Sequence, residues 1–263
     1  MRALITGAAS GIGRAVAFNL AEHGWDNETP ALLLVDRDAE GLETVATALR
    51  ALGATVITAA ADLSDPDAPT QLLAIAASGL GGLDALVSNA GIIGGGPLLE
   101  LKVADYDKQF AVNTRPLWLL GKAAHPLLAQ SHGSLVATAS MSGEHPTPGL
   151  AAYSASKAAA IMLIRQMAIE WGPDGIRCNC VSPGPTLTSM TSAGYADPER
   201  RRQRESTIPL GRIGEAEDIA RAVAFLLSPQ SGFITGVNLA VDGGMSQMLM
   251  PASGGGTGQR ASR

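Results

Sequence analysis

Tyr153-Ser154-Ala155-Ser156-Lys157 places a phenol and an ammonium at positions i and i+4. On a helix those two side chains share one face. A free phenol ionises near pH 10 and is a poor base at neutral pH. A neighbouring cation, joined by the positive charge of an oxidised nicotinamide, favours phenolate and lowers that value. Such a pair can move an alcohol proton while hydride leaves carbon, and a serine hydroxyl can hold the same oxygen. Ser140 lies thirteen residues upstream, directly after an apolar strand. A lone Tyr-x-x-x-Lys is most often structural. This one opens an unusually apolar helix, Ala158-Ala159-Ala160-Ile161-Met162-Leu163-Ile164.

A second constellation lies at the amino end. Thr6-Gly7-Ala8-Ala9-Ser10-Gly11-Ile12-Gly13 follows an apolar strand and opens a helical pattern. Bare backbone there lets a pyrophosphate approach the helix N-terminus, where unpaired N–H groups and the helix dipole hold an anion. The spacing is G-x-x-x-G-x-G, and a merely tight turn is the competing reading. No Gly-Lys-Ser/Thr follows, which argues against a P-loop hydrolase. Asp36 ends the second strand, 23 residues beyond Gly13. An acid there accepts hydrogen bonds from the adenosine ribose of NAD and repels the 2′-phosphate of NADP. Arg37 softens that preference, and the competing reading is that Asp36 only begins a turn. Residue chemistry alone leads to a nucleotide-binding α/β protein to which oxidoreductase chemistry is open.

The elements that must position these groups are short apolar runs flanked by Gly, Asp or Ser: Ala3–Thr6, Ala31–Asp36, Thr55–Ala59, Ala85–Ser88, Ser134–Ala139, Arg177–Val181 and Val237–Val241. Runs of this kind are buried on both faces, as in a parallel sheet covered by helices. Helical spacing fills the gaps, first from Ile12 to about Gly24 and then from Ala39 to about Leu52. The β-α-β-α order predicts a Rossmann-type doubly wound α/β fold, a mostly seven-stranded parallel sheet with helices on both faces. No Pro/Ser linker divides the chain, so residues 1–250 form one expected domain. The polar stretch from Pro183 to about Glu215 follows a strand directly and is placed as a substrate lid over about 185–215. Residues 251–263 are Gly/Ser-rich and read as a disordered tail.

Composition narrows the class. The chain has 263 residues, 46% hydrophobic and only 16% charged, against roughly 25% charged in a typical domain. Net charge is −5 (19 basic against 24 acidic residues), which argues against a nucleic-acid partner. Cys178 and Cys180 are too few for a disulfide scaffold and read as inert core thiols. His23, His125 and His132 lack metal-ligand spacing, so no metal is expected. The first residues carry no stretch long enough for a signal peptide. No run approaches about 18 apolar residues, so no membrane span is expected. The default is a soluble cytoplasmic protein.

In order and spacing together, these residues resemble the short-chain dehydrogenase/reductases over essentially the whole chain to about Met250. The T-G-x-x-x-G-x-G turn is Thr6 to Gly13, and the acid after the second strand is Asp36. The Asp-Leu pair beside adenine is Asp62-Leu63. The N-N-A-G signature appears as Ser88-Asn89-Ala90-Gly91, with Ser in place of the first Asn. The resemblance implies catalytic roles for Asn113, Ser140, Tyr153 and Lys157, with a helix disturbance at Asn113 and a water between it and Lys157. It also implies cofactor contacts from Gly7, Ser10, Gly11, Ile12, Gly13, Asp36, Arg37, Asp62, Leu63, Asn89, Ala90, Gly91, Tyr153 and Lys157. Pro183-Gly184 with Thr188 resembles the segment that meets the nicotinamide, and Val181 lies where backbone usually meets its carboxamide. Asn238 to Gly244 is similar to the family's last strand. The implied mechanism has Tyr153 phenolate taking the hydroxyl proton as hydride passes to nicotinamide C4. Ser140 polarises the oxygen, and Lys157 lowers the Tyr153 pKa and holds the ribose.

The substrate is less constrained. Glu144 or His145 is a candidate for a substrate hydroxyl, against a solvated loop. Gly94-Gly95-Gly96 gives a flexible rim. Met190 and Tyr195 of the lid are candidates for covering an apolar ring, against a packed amphipathic helix. Arg200, Arg201, Arg202 and Arg204 read as a solvated face, or as a dock for an acidic carrier protein. The helix after Tyr153 is apolar on more than one face (Ala160, Ile161, Leu163, Ile164, Met167, Ala168), which suggests burial against a partner. The family commonly forms tetramers through it, so a homotetramer is expected. The leading function is an NAD-dependent dehydrogenase of a secondary alcohol, NADP being disfavoured, acting on a small cyclic alcohol, polyol or sugar-like molecule. The competing functions are an NADPH-dependent 3-oxoacyl-carrier-protein reductase and a non-catalytic nicotinamide-binding regulator.

Overall fold

A computed structural model describes residues 1–24 and 29–248; the segment 251–263 lies outside the described residues. Seven strands form one sheet: β1 (Arg2–Thr6), β2 (Ala31–Asp36), β3 (Thr55–Ala60), β4 (Ala85–Ser88), β5 (Ser134–Thr138), β6 (Arg177–Pro183) and, last in the chain, Asn238–Val241. Two short strands, β7 (Thr186–Leu187) and β8 (Gly214–Glu215), pair with each other outside it, so the last strand of the large sheet is β9. The sheet order is β3-β2-β1-β4-β5-β6-β9, and every pairing is parallel. Sequence order reverses between β1 and β4, which is where open α/β sheets bind ligands.

Among the described residues there are eight α-helices: α1 (Gly11–His23), α2 (Ala39–Ala51), α3 (Ala68–Leu80), α4 (Val103–Asn113), α5 (Arg115–Ser131), α6 (Tyr153–Trp171), α7 (Pro198–Ser206) and α8 (Ala216–Leu227). The strands alternate between two cores because successive side chains point to opposite faces. Ala3, Ile5, Leu32 and Leu34 face α1, α2 and α8, whereas Leu4, Leu33 and Val35 face α3, α5 and α6. Both faces are therefore apolar, which explains the unbroken hydrophobic runs. Cys178 and Cys180 sit in the second core, and burial pushes both thiols up to about 12.

The apolar excess of α6 has a different origin from the one expected. Ala160, Ile161, Ile164, Met167 and Ala168 are buried inside the subunit. The helix lies across the sheet and meets both β6 and the segment after β5, so it needs a broad apolar face of its own. The apolar side chains left uncovered nearby are Met162 and Ile169, at 59% and 79% exposure, and Trp118 on α5. No helix among the described residues is long and apolar enough to cross a membrane.

Candidate active site

The glycine turn, the ends of β4 and β5, and the start of α6 meet at the carboxyl edge of the sheet. Asn89 binds them together. Its Nδ2 donates to the carbonyls of Thr6 (3.1 Å) and Gly7 (3.3 Å). Its Oδ1 accepts from Thr138 Oγ1 at 3.0 Å. Thr6 Oγ1 in turn accepts from the amides of Asn89 (2.9 Å) and Ala90 (3.1 Å). One asparagine thus links β1, β4 and β5, so Ser in place of the first Asn of the signature leaves this junction intact.

Glycine is required at three points of the turn. Gly7 and Gly11 have φ of 68° and 53°, a region that Cβ disfavours. A Cβ on Gly13 would overlap the Gly7 carbonyl oxygen and lie 2.6 Å from Asn89 Nδ2. Ser10 caps α1 in extended backbone with no side-chain cap hydrogen bond, and the first turn carries no acid. Its leading N–H groups have no intrahelical acceptor, so this end of α1 suits a phosphate. Thr188 lies over Gly11, its Cβ 3.4 Å from where a Gly11 Cβ would sit, and Ser189 Oγ donates to Ser10 Oγ at 3.1 Å. The segment after β6 therefore folds back onto the turn. Gly184 packs on Asp242, leaving no room for a Cβ. Val181 does not fit its expected role: its carbonyl accepts from Ala139 N–H at 2.8 Å within the sheet.

Asp36 Oδ2 accepts from the amide of Ala9 at 3.1 Å, and Oδ1 accepts from Asp38 at 3.2 Å. The carboxylate thus lies against the glycine turn. Arg37 is exposed and acts electrostatically on Asp62, whose carboxyl is held below the usual range mainly by the Ser64 amide. Leu63 beside it is buried.

The reactive set gathers around Gly91. A Cβ there would lie 3.2 Å from Asn113 Oδ1 and 3.4 Å from Lys157 Nζ. Helix α4 ends at Asn113, Thr114 breaks the path (φ −122°, ψ −55°), and α5 starts at Arg115; this is the expected helix disturbance. Asn113 Nδ2 donates to Ser156 Oγ at 3.0 Å, and Ser156 Oγ donates to the Tyr153 carbonyl at 2.8 Å. Ser140 Oγ accepts from Ser142 N–H at 3.1 Å, which orients it at the end of β5. Burial pushes the Tyr153 phenol up, and a hydrogen bond with Ser140 opposes that shift. Lys157 lies 5.9 Å from the centre of the Tyr153 ring and donates to the Thr138 carbonyl at 2.8 Å. Its ammonium does not offset the burial of the phenol; burial instead lowers Lys157 to about 8.

Other expected residues lie further out. Glu144 is exposed and paired with Arg165 of α6 at 3.6 Å, and His145 is exposed. Met190 is 54% exposed. Tyr195 is half-buried, and burial raises its phenol. On α7, Arg200, Arg201 and Arg202 pair with Asp197, Glu205 and Glu199, which is the solvated-face arrangement. Sequence reasoning missed Thr138, Ser156 and the hydroxyl of Thr6. Ser156 lies inside the Tyr-x-x-x-Lys motif, but nothing in its type marks it as the link to Asn113. No group of three or more His, Cys, Asp or Glu among the described residues could hold a metal.

A family model described as "Enoyl-(Acyl carrier protein) reductase" matches residues 7–246. The chain is 38% identical over 248 residues to an L-rhamnose 1-dehydrogenase (NAD(P)(+)) of Sphingomonas sp. (strain SKA58), covering 92% of this chain and 94% of that one. It is 35% identical to a gluconate 5-dehydrogenase of Gluconobacter oxydans (strain 621H), covering 94% and 95%. The solved structure of levodione reductase superposes with a TM-score of 0.87 at 32% identity, covering 94% of this chain and 97% of that one.

The lowered Lys157 value fixes a sign for stability. The folded protein holds this proton less tightly than the unfolded chain, whose lysine keeps the ordinary 10.5. Burial of the charge therefore destabilises the fold fully below about pH 8 and is relieved as pH rises towards 10.5. In denaturant titrations, the stability of wild type relative to Lys157→Met should rise between pH 7.5 and 10, by up to about 3 kcal/mol. A difference that stays flat across that range contradicts the burial of the ammonium.

Proposed function

The chain belongs to the short-chain dehydrogenase/reductase family, and we propose that it is an NAD-dependent dehydrogenase interconverting a secondary alcohol and a ketone, with Tyr153 as acid and base. The observation that carries this reading is the convergence of Asn113, Ser140, Tyr153 and Lys157 beside a glycine turn where Gly13 has no room for a Cβ. That cradle fits a nicotinamide dinucleotide. Gly7, Ser10, Gly11, Ile12 and Gly13 would hold its pyrophosphate, Asp36, Arg37, Asp62 and Leu63 its adenosine end, and Asn89, Ala90, Gly91, Pro183, Gly184 and Thr188 its nicotinamide half. When bound, the cofactor supplies the hydride acceptor and, in its oxidised form, a positive charge.

In oxidation Tyr153 phenolate takes the hydroxyl proton while Ser140 holds the alcohol oxygen, so negative charge never builds up on that oxygen unaided. In reduction the protonated phenol, which burial favours, gives its proton to the forming alkoxide. Lys157, protonated below about pH 8, keeps positive charge near the ring and would hold the nicotinamide ribose. Asn113 fixes the start of α6 through Ser156. The family model and relatives span nearly the whole chain, which supports residues 1–250 acting as one unit with a lid at about 185–215. A small cyclic alcohol, polyol or sugar-like substrate is supported by relatives named for L-rhamnose and gluconate. Pairing of the α7 arginines within their own helix counts against the carrier-protein reductase. We also propose a homotetramer in the cytoplasm, supported by the uncovered Trp118, Met162 and Ile169 on neighbouring helices.

Tyr153→Phe keeps the ring and removes the proton. Its kcat should fall about 10²- to 10⁴-fold with the cofactor Kd, read by nucleotide fluorescence, unchanged; undiminished turnover overturns the mechanism. Asp36→Ala should lower the ratio of kcat/KM with NAD to that with NADP by about tenfold or more, the loss of roughly 1.4 kcal/mol of discrimination; a wild type that already prefers NADP refutes the assignment. Light scattering should give a four-chain mass, and a single-chain mass at working concentration defeats the tetramer.

A further inference from the structure

Gln109 precedes Asn113 by one helical turn, so both carboxamides lie on one face of α4. The two are used very differently. Asn113 Oδ1 accepts from Ile92 N–H at 2.8 Å, and its Nδ2 donates to the Ile92 carbonyl at 3.0 Å as well as to Ser156. Gln109 is only 3% exposed, yet neither its Nε2 nor its Oε1 has a hydrogen-bond partner. A buried amide without a partner in the chain opposes folding, and such a group in a native protein calls for an explanation, a bound water or a ligand among them.

Its surroundings place it beside the approach to Tyr153. A Cβ on Gly94 would overlap Gln109 Nε2 and lie 3.3 Å from the Ala151 methyl. The amide therefore sits between the rim that follows β4 and the residue two before Tyr153. The rim is thin: Gly94, Gly95 and Gly96 bring no side chains. Two hydrogen bonds stitch the rim to the approach of α6, Gly96 N–H to the Gly149 carbonyl (2.9 Å) and Ala151 N–H to the Gly96 carbonyl (3.0 Å). Ala151 is held at φ 51°, which a Cβ disfavours. A Cβ on Gly95 or Gly96 would meet nothing within 4 Å, so the space beside the rim is open.

We propose that Gln109 determines substrate specificity: its carboxamide takes a second hydroxyl of the substrate, which makes the preferred substrate class diols and polyols. The inference rests on the alcohol-dehydrogenase reading above. A carboxamide both donates and accepts, and so does a hydroxyl. An anionic group would engage only the N–H side, and a hydrocarbon would leave both atoms unpaired. Lys157, the buried cation of this site, already donates to Thr138. A site built to pair a hydroxyl rejects the analogue that lacks it far more strongly than an apolar pocket rejects one extra methylene.

The test uses Gln109→Leu and Gln109→Met on the full chain, with matched pairs: trans-1,2-cyclohexanediol against cyclohexanol, and an aldohexose against its 2-deoxy form. Each variant should lower the diol-to-mono-ol ratio of kcat/KM at least tenfold, while Tm of the ligand-free protein holds or rises as an unpaired amide is removed. A ratio that does not move, or a lowered Tm with both substrates losing in parallel, overturns the proposal; the second pattern marks a buried water that props the rim. Thermal shift by each compound in the presence of NAD gives a readout free of turnover. A diol-specific shift in wild type that the variants lose supports the subsite even if no compound is oxidised, in which case the dehydrogenase reading fails alone. Equal shifts for both members of each pair in wild type refute the subsite alone.

Discussion

A Cβ at Gly13 would drive into the Gly7 carbonyl and the Asn89 amide, and that single steric constraint sets how closely α1 approaches the edge of β1 and β4. Because the helix starts hard against the strands, the Asn89 side chain can reach the Thr6 and Gly7 carbonyls while its own oxygen is held by Thr138. Thr138 then offers its main-chain carbonyl to Lys157. The glycine turn and Lys157 are therefore joined through one asparagine and one threonine.

At the other end, burial dominates over pairing. It raises the phenol of Tyr153 and lowers the ammonium of Lys157, so both groups are driven towards their neutral forms. Burial of a charge is more expensive than a carbonyl dipole alone repays. The ordering of the site comes instead from neutral hydrogen bonds: Asn113 to Ser156, Ser156 to the Tyr153 carbonyl, and Ser142 to Ser140. Burial thus favours the protonated phenol; in the proposed reaction the positive charge of the oxidised cofactor would oppose that shift.

The periphery follows looser rules. Glu144 is engaged by Arg165, and Arg200, Arg201 and Arg202 of α7 are engaged by Asp197, Glu205 and Glu199, so these charges are neutralised locally. Among the described residues, Gln109, under a rim of three glycines, is a buried uncharged amide with neither polar atom paired. An opening of this kind selects by hydrogen bonding and shape more than by charge.

Much of this was legible in the residues. Two-sided apolar runs separated by helical spacing determine a parallel sheet, because only strands covered on both faces are apolar at every position. The glycine turn, Asp36 and the Tyr153–Lys157 spacing are local patterns, and local geometry fixes what they can do. Contacts between residues far apart in sequence were not legible. Nothing in Thr138 or Ser156 announces that they hold Asn89 and Asn113. The apolar residues of α6 pointed to a partner subunit until the fold buried most of them in its own core. The positions at which Gly13 must lack a side chain and Gln109 must lack a partner depend on which elements pack together. Periodicity records the face a residue turns inward, and only tertiary structure decides what meets it there.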